Sequence, residues 1–227
     1  MTADDQKREA GAAAAALVES GMIVGLGTGT TAAWFVHALA ARGLSIRGVP
    51  TSEATAALAR SLGITVLDLD DVETIDLTVD GADEVGPGLA LIKGAGAALL
   101  REKLVWSASR RCVVIADARK NVATLGAFPL SVDVIPFGHL GTARRLATCL
   151  GEQRIDAIPV LRVNDDVPVR TDNGNLIYDL PCGVIADPPA LAAALKAITG
   201  VVDHGLFLGF AERALIGTDD GVITLHP

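Results

Sequence analysis

The sequence lacks the features that identify a metal centre, a disulfide framework or a membrane protein. Its three cysteines are widely separated with no CxxC pair, and its four histidines follow no ligand spacing. No apolar run approaches the ~18 residues needed to span a membrane. We therefore expect no metal, no cofactor and no membrane partner. We interpret Cys112, Cys149 and Cys182 as buried free thiols in a reducing compartment, which predicts a cytoplasmic protein.

Aromatic residues are also scarce, at 4% of the chain, so a core must be built mainly from aliphatic side chains. Half of the residues are hydrophobic and one fifth are charged, which favours a folded core over disorder. The net charge of −8 argues against nucleic acid as a partner, because nothing offsets repulsion from its phosphates. An anionic substrate would need locally placed lysines.

Short apolar segments alternate with helix-forming segments along the first half of the chain. This alternation predicts an α/β fold, with a Rossmann-like, mostly parallel sheet flanked by helices. Predicted strands are 22–26, 46–49, 64–69, 77–79, 89–92 and 112–116. Predicted helices are 4–19, 31–42, 52–62 (with Ser52 as its N-cap) and 97–107.

The pattern changes near residue 128, where prolines, a turn at 172–174 and an alanine-rich helix over 189–198 occur. We predict a smaller α+β domain over 128–203, inserted near the C-terminal half. The α/β catalytic domain then comprises 1–127 and 204–227. Short strands at 207–210, 214–216 and 222–225 are expected to rejoin the main sheet.

A glycine-rich loop follows the first predicted strand, from Gly25 to Thr31. It departs from the dinucleotide fingerprint, because Thr30 occupies the position of the third glycine. The loop still suits an anion or a sugar hydroxyl, since it leads into a helix whose first N–H groups are unpaired. The alternative is a tight turn in which Thr30 or Thr31 acts as an ordinary helix cap.

A cluster of charges follows the strand at 77–79. Asp80, Asp83 and Glu84 stand among small residues, and Lys93 lies directly after another apolar segment. Carboxylates and a lysine at strand ends are typical of a site that moves protons near a developing negative charge. Taken singly, the acids also fit a solvated turn, and Glu102 fits a surface salt bridge.

Four motifs, in this order and spacing, resemble the signatures of type A ribose-5-phosphate isomerases. They are Gly27-Thr28-Gly29-Thr30-Thr31, Asp80-Gly81-Ala82-Asp83-Glu84, Lys93-Gly94-Ala95-Gly96 and Arg101-Glu102-Lys103. The resemblance continues through Lys120, Thr171-Asp172-Asn173-Gly174-Asn175 and Ala214-Leu215-Ile216-Gly217, so it covers nearly the whole chain.

The resemblance implies an aldose-ketose isomerase that interconverts D-ribose 5-phosphate and D-ribulose 5-phosphate through an enediolate. The reaction belongs to the non-oxidative branch of the pentose phosphate pathway and uses no metal. Glu102 would be the base that carries the proton between C1 and C2. Asp80, with Asp83 beside it, would assist ring opening, and Lys93 would stabilise the enediolate.

The resemblance also implies the substrate-binding residues and an assembly, a homodimer or homotetramer. The binding residues would be Thr28, Gly29, Thr30, Thr31, Asp80, Gly81, Ala82, Asp83, Lys93, Gly94, Ala95, Gly96 and Lys120. Two positions depart from the family pattern, which usually has Ser at Thr30 and Gly at Ala95. The second would matter if residue 95 required a positive φ.

Two other functions are compatible with this fold class. A DeoR-type sugar-phosphate sensor would need a DNA-binding segment before the glycine loop, and the loop begins only 25 residues into an acidic chain. A coenzyme A transferase-like enzyme would use a glutamate nucleophile. The sequence favours the isomerase over both.

Overall fold

The computed structural model describes all residues from Met1 to Pro227. The chain forms two compact units. The first comprises Met1–Ala82, Arg101–Asn121 and Gly209–Pro227, and the second Asp83–Leu100 and Val122–Leu208. None of the helices combines the length and apolar character needed to cross a membrane.

The first unit is built on a seven-stranded sheet that is parallel except at one edge. Its strands are β1 (Ile23–Leu26), β2 (Arg47–Pro50), β3 (Thr65–Val66), β4 (Leu77–Gly81), β7 (Cys112–Asp117), β15 (Arg213–Thr218) and β16 (Gly221–Leu225). The order is β16-β15-β7-β4-β1-β2-β3, and only β16 runs antiparallel to its neighbour. Without β16, this is the 3-2-1-4-5-6 order of doubly wound sheets, which confirms the predicted fold class.

Four helices belong wholly or mainly to this unit, and they agree with the sequence predictions to within a few residues at their ends. They are α1 (Ala3–Ala15), α2 (Thr30–Ala41), α3 (Glu53–Ser61) and α4 (Leu99–Ser107). Ser52 caps α3 as predicted, because its hydroxyl accepts the Thr55 N–H at 3.1 Å. Helices α1 and α2 bury alanine, valine and leucine side chains against β1, β4 and β7.

The second unit contains two antiparallel sheets and a hairpin. The strands are β5 (Glu84–Val85), β6 (Leu91–Ile92), β8 (Leu130–Val134), β9 (Val160–Leu161), β10 (Val163–Asn164), β11 (Val167–Pro168), β12 (Leu176–Leu180), β13 (Val201–His204) and β14 (Leu206–Phe207). The four-stranded sheet has the order β13-β8-β12-β9, the three-stranded sheet has the order β14-β6-β5, and β10 and β11 form the hairpin. The helices are α5 (His139–Glu152) and α6 (Pro188–Lys196).

The unit boundaries differ from the predicted division at 127/128 and 203/204. Residues 83–100 lie in the second unit because β6 pairs with β5 and with β14 rather than with the parallel sheet. The expectation that 89–92 and 207–210 extend the main sheet is therefore wrong. Two-residue apolar segments carry no signal that distinguishes a parallel sheet from an antiparallel one.

The three cysteines form no disulfide; Cys112 and Cys149 are buried and Cys182 is partly buried. Burial raises the pKa of the Cys112 thiol to about 12 and that of the Cys182 thiol to about 11. The prediction of free thiols is confirmed; their predicted burial holds for Cys112 and Cys149 but is wrong for Cys182, which is only partly buried.

Candidate functional site

Two of the predicted motifs lie where the strand order of the parallel sheet reverses. Strand β1 is paired with β2 on one side and with β4 on the other, and Leu26 is opposite Val79. Open α/β sheets bind their ligands outside the carboxyl ends of the strands at this reversal. The glycine loop follows β1, and Asp80 and Gly81 end β4, so the sheet brings these two predicted motifs together.

Asp80 is fully buried, and one of its carboxylate oxygens holds the glycine loop. Its Oδ1 accepts the backbone N–H of Thr28 at 3.1 Å and that of Gly81 at 2.7 Å. A Cβ at Gly27 would collide with this carboxylate, so residue 27 must be glycine for the loop to approach so closely. Asp80 is thus a fixed acid in a dry environment and not a residue of a solvated turn.

The N-terminus of α2 is open. Its N-cap is Gly29, with φ of 101°, and no side chain caps the helix. The alternative in which Thr30 or Thr31 is an ordinary cap is therefore wrong. The first N–H groups of this 12-residue helix remain available to an anion, as the sequence predicted.

The Thr28 hydroxyl lies in a cluster of hydroxyl groups that sequence reasoning missed. Thr28 Oγ1 is 2.7 Å from Thr51 Oγ1, 2.8 Å from Ser52 Oγ and 3.3 Å from Thr55 Oγ1. The Thr55 hydroxyl also donates to the Gly27 carbonyl at 3.0 Å. These bonds tie the glycine loop to the start of α3 and fix the direction of the Thr28 side chain.

Two lysines of the first unit belong to this region, and sequence reasoning identified only Lys120. Lys7, on α1, donates to the Thr30 hydroxyl at 3.1 Å. Its neighbour Gln6 accepts the Ala118 N–H at 3.2 Å and so anchors the 3₁₀ turn that carries Lys120. Lys7 precedes the first predicted strand and belongs to no motif, so only the packing of α1 reveals it.

Asp117, at the end of β7, lies close to positively charged side chains that affect its pKa. Burial acts most strongly on its carboxyl and would raise its pKa. The hydrogen bond and charge of Arg119, together with the charge of Lys7, outweigh burial, and the pKa of Asp117 is lowered. Arg119 and Lys7 thus place positive charge near the carboxyl end of β7 although the chain carries a net negative charge.

Glu102 lies on α4 and is only 4% exposed. Glu102 is therefore not the surface residue that the salt-bridge alternative assumes, whereas the adjacent Arg101 forms a surface salt bridge with Glu53 at 2.8 Å. Trp106, one turn further along α4, is also buried. A glutamate on a buried helix face is rarely a packing residue, because desolvating a carboxylate is costly.

The second unit carries Lys93, which is 3% exposed. Its ammonium lies 5.4 Å from the centre of the Phe207 ring, within the range of a cation–π interaction. Its backbone N–H donates to the Gly205 carbonyl at 2.8 Å. The sequence predicted that this lysine follows a strand of the parallel sheet, but the strand is β6 of the three-stranded antiparallel sheet.

The loop Gly94–Gly96 follows Lys93, and Asp83 holds it from one side. Asp83 Oδ2 accepts the Ala95 N–H at 2.9 Å. Gly94 has a φ of 125°. Ala97, just after the loop, has a positive φ of 54°, whereas Ala95 does not have a positive φ. The replacement of the usual glycine by Ala95 therefore introduces no strain of the backbone.

The sequence matches the family model of ribose 5-phosphate isomerase A (phosphoriboisomerase A) over residues 47–221. It is 69% identical to the ribose-5-phosphate isomerase A of Caulobacter sp. strain K31 over 100% of both chains. It is 53% identical to that of Parvibaculum lavamentivorans, with 97% of each chain covered.

Solved structures agree with this match. Ribose 5-phosphate isomerase A from Neisseria gonorrhoeae superposes with a TM-score of 0.92 at 35% identity, covering 100% of this chain and 98% of that one. A D-ribose-5-phosphate isomerase in complex with phospho-erythronic acid gives the same TM-score at 38% identity, with both chains fully covered. The four motifs predicted this relationship, and the chain belongs to the ribose 5-phosphate isomerase A family.

Proposed function

We propose that this protein is a ribose-5-phosphate isomerase, an intramolecular oxidoreductase that interconverts D-ribose 5-phosphate and D-ribulose 5-phosphate. The relatives' names support this activity, and one related structure was solved with phospho-erythronic acid. The observation that carries the proposal is the burial of two opposite charges, on Glu102 and Lys93, in motifs that match the family. Buried charges of this kind are typical of sites that handle protons.

Glu102 is the base of the proposed reaction. The hydrogen at C2 of an aldose is weakly acidic because it lies next to a carbonyl, so its removal needs a positioned acceptor. The carboxylate takes this proton and returns it to C1, which converts the aldose into the ketose. The electron pair of the broken C–H bond moves within the sugar, so the step requires no external oxidant or reductant.

Lys93 stabilises the negative charge that develops on the sugar oxygens in the enediolate. A buried ammonium acts strongly on such a charge, because little water screens it. Asp80 moves the proton between the two oxygens and assists ring opening, with Asp83 beside it. The hydrogen bonds at Asp80 Oδ1 keep this carboxyl group in place.

The phosphate of the substrate binds to the first unit. The open N-terminus of α2 offers backbone N–H groups from the segment after Gly29, and Lys7 and Lys120 supply positive charge. Thr28, Thr30 and Thr31 supply hydroxyl groups. Gly81, Ala82 and residues 94–96 complete the proposed set of substrate contacts.

The reaction as proposed requires no metal ion. No group of three or more His, Cys, Asp or Glu side chains is arranged to hold one. The test is to incubate the enzyme with ribose 5-phosphate after exhaustive treatment with EDTA and to measure ketose formation. We expect full activity; activity that returns only with a divalent ion would contradict this mechanism.

We also propose that the protein acts in the cytoplasm as a homodimer, with a homotetramer as the larger alternative, and without nucleic acid. Large apolar side chains of the second unit are exposed, among them Phe137 (91%), Ile158 (77%) and Leu140 (63%). Exposed apolar side chains of this size favour association. Light scattering should report at least twice the 23.3 kDa chain mass; a monomer at micromolar concentration would refute the assembly.

A further inference from the structure

Arg162 lies between β9 and β10, next to the loop Gly94–Gly96. Its guanidinium group makes every hydrogen bond that it can donate. A guanidinium group carries five N–H bonds. The Nε–H donates to Asp179 Oδ2 at 2.8 Å, and the two Nη2–H bonds go to Asp179 Oδ1 and to Ser131 Oγ, the latter at 2.7 Å. The two Nη1–H bonds go to the carbonyls of Gly94, at 2.8 Å, and Ala95, at 3.0 Å.

This saturation excludes Arg162 as a ligand for the substrate phosphate. All five N–H groups have acceptors within the chain, and Asp179 neutralises the charge through a bidentate ion pair. Both side chains of the pair are less than a quarter exposed. A phosphate could bind this guanidinium only by displacing one of these acceptors.

The contacts fix two successive peptide units of the loop. In a trans peptide the C=O and N–H point in opposite directions, so holding the oxygen also directs the hydrogen of the next residue. The unit between Gly94 and Ala95 is held at both ends, by Arg162 at its oxygen and by Asp83 at its N–H. The next unit is held at the Ala95 oxygen, so the N–H of Gly96 points away from Arg162.

The loop packs closely against one of the residues that bind Arg162. A Cβ at Gly94 would lie 2.6 Å from Ser131 Cβ, so the backbone passes directly over the residue that also binds Arg162. Asp179 is opposite Ser131 in the pairing of β12 with β8. The paired strands therefore hold Ser131 and Asp179 side by side, and both side chains accept hydrogen bonds from Arg162.

We propose that Arg162 is a positioning residue for catalysis: it orients the peptide units after Lys93 so that the Gly96 N–H is presented to the anionic oxygen of the reacting sugar. This inference rests on the proposed isomerase function, because it assigns the oriented N–H to the enediolate. Arg162 itself touches no substrate atom. Its effect passes through the Gly94 and Ala95 carbonyls.

The test substitutes Arg162→Lys, which retains the charge opposite Asp179 but loses the planar fork that reaches both carbonyls. We expect kcat to fall by about 10- to 100-fold, because small displacements of catalytic groups are costly. KM should remain within about threefold, since the oriented N–H acts mainly on charge that develops in the transition state. A loss confined to KM would instead indicate direct binding of the phosphate and would overturn the proposal.

Amide hydrogen exchange of residues 93–98 provides a readout that does not depend on activity. The Ala95 and Ala97 N–H groups are hydrogen-bonded, to Asp83 Oδ2 and to the Gly94 carbonyl respectively. Both should exchange at least ~10-fold faster in Arg162→Lys if this side chain orders the loop. Unchanged exchange would overturn the proposal, whatever the kinetics show.

Arg145→Lys is the matched control. Arg145 also lies in the second unit and donates to one hydroxyl and one carbonyl, on Thr142 at 3.1 Å and Thr199 at 2.9 Å. We expect normal kinetics and normal loop exchange; an equal loss in this variant would overturn the specific role of Arg162. Should Arg162→Lys fail to fold, Asp179→Asn weakens the same support and must show the same two effects.

The outcomes for the two proposals are separable. If the unmodified protein does not isomerise ribose 5-phosphate, the proposed function fails, and hydrogen exchange still decides whether Arg162 orders the loop. If the unmodified protein is active and Arg162→Lys matches it in both kcat and exchange, only the positioning role fails.

Discussion

The two units hold their candidate catalytic groups by different means. In the first, Asp80 is placed by a parallel strand, and its carboxylate accepts the N–H of Thr28 in the glycine loop and that of Gly81 at the end of its own strand. In the second, Lys93 and the glycine loop follow a two-residue strand, and a side chain some seventy positions later in the sequence holds the loop. Geometry set by a sheet is robust, whereas geometry set by one side chain can be lost through one substitution.

The largest effect should come from Glu102→Gln in the first unit. Glutamine retains the shape but cannot accept the proton, so kcat should fall by about 10²- to 10⁴-fold. KM should change little, because the transferred proton contributes almost nothing to ground-state affinity. Glu53→Gln, at an exposed glutamate, is the control and should leave kcat unchanged. Activity of Glu102→Gln within a few-fold of the unmodified enzyme would assign the base elsewhere, first to Asp80 or Asp83.

Lys93→Met tests the corresponding group of the second unit. Methionine preserves an unbranched chain beside Phe207 but removes the charge, so kcat should fall by about 10²- to 10³-fold. Steady-state kinetics combined with thermal unfolding separates this effect from misfolding. A variant that keeps normal turnover would show that Lys93 does not stabilise the enediolate.

The phosphate-binding proposal for the first unit predicts a smaller effect, and mainly on affinity. Lys7→Met and Lys120→Met should each raise KM by about 3- to 30-fold, since a charged hydrogen bond contributes roughly 1.5–3 kcal/mol in partly buried sites and less when exposed. The loss should shrink as salt concentration rises. An unchanged KM in both variants would show that the phosphate does not bind at the N-terminus of α2.

The smallest effect concerns a buried carboxylate of the second unit that lies outside the four family motifs. Asp133 is fully buried on β8, and neither of its oxygens has a well-formed hydrogen bond. Burial and the neighbouring charge of Asp203 raise its pKa to about 6, although the Asn175 side chain acts in the opposite direction.

Because the pKa of Asp133 is higher in the folded state than its ordinary value of 3.8, the folded state binds more protons between pH 4 and 6. Stability should therefore fall as pH rises through this window and stay lower above it. Asp133→Asn removes this cost and should stabilise the protein by about 1 kcal/mol at pH 8, and by less at pH 4. Denaturant unfolding at both pH values measures the difference, and kcat should not change. Equal stabilisation at both pH values would show that ionisation of Asp133 is not the cause.

The sequence predicted the first unit better than the second, for physical reasons. Apolar strands that alternate with amphipathic helices have a clear period, and turns such as Gly27–Thr31 require particular residue types. The bounds of α2, α3 and β7 were accordingly predicted to within one or two residues. The place of β6 and the contacts of Arg162 depend on pairing between distant segments, which no local pattern encodes.

The same limit explains which candidate residues the sequence could indicate. Asp80, Lys93 and Glu102 stand in dense motifs and all three are buried, and their catalytic roles stay predictions. Lys7 reaches the region only because α1 packs beside the parallel sheet, and it has no motif of its own. Ala95 was questioned from sequence, but the strained position is occupied by Ala97, two residues later.

The raised pKa values of the three cysteine thiols make the protein suited to site-specific labelling. A thiol with a pKa near 11 or 12 is almost entirely protonated at pH 7.5, so maleimides and similar probes should react slowly with Cys112 and Cys182. The buried Cys149, whose pKa is also raised by burial, should behave alike. A single cysteine introduced at an exposed position should therefore accept a fluorophore selectively, with the three native thiols left in place.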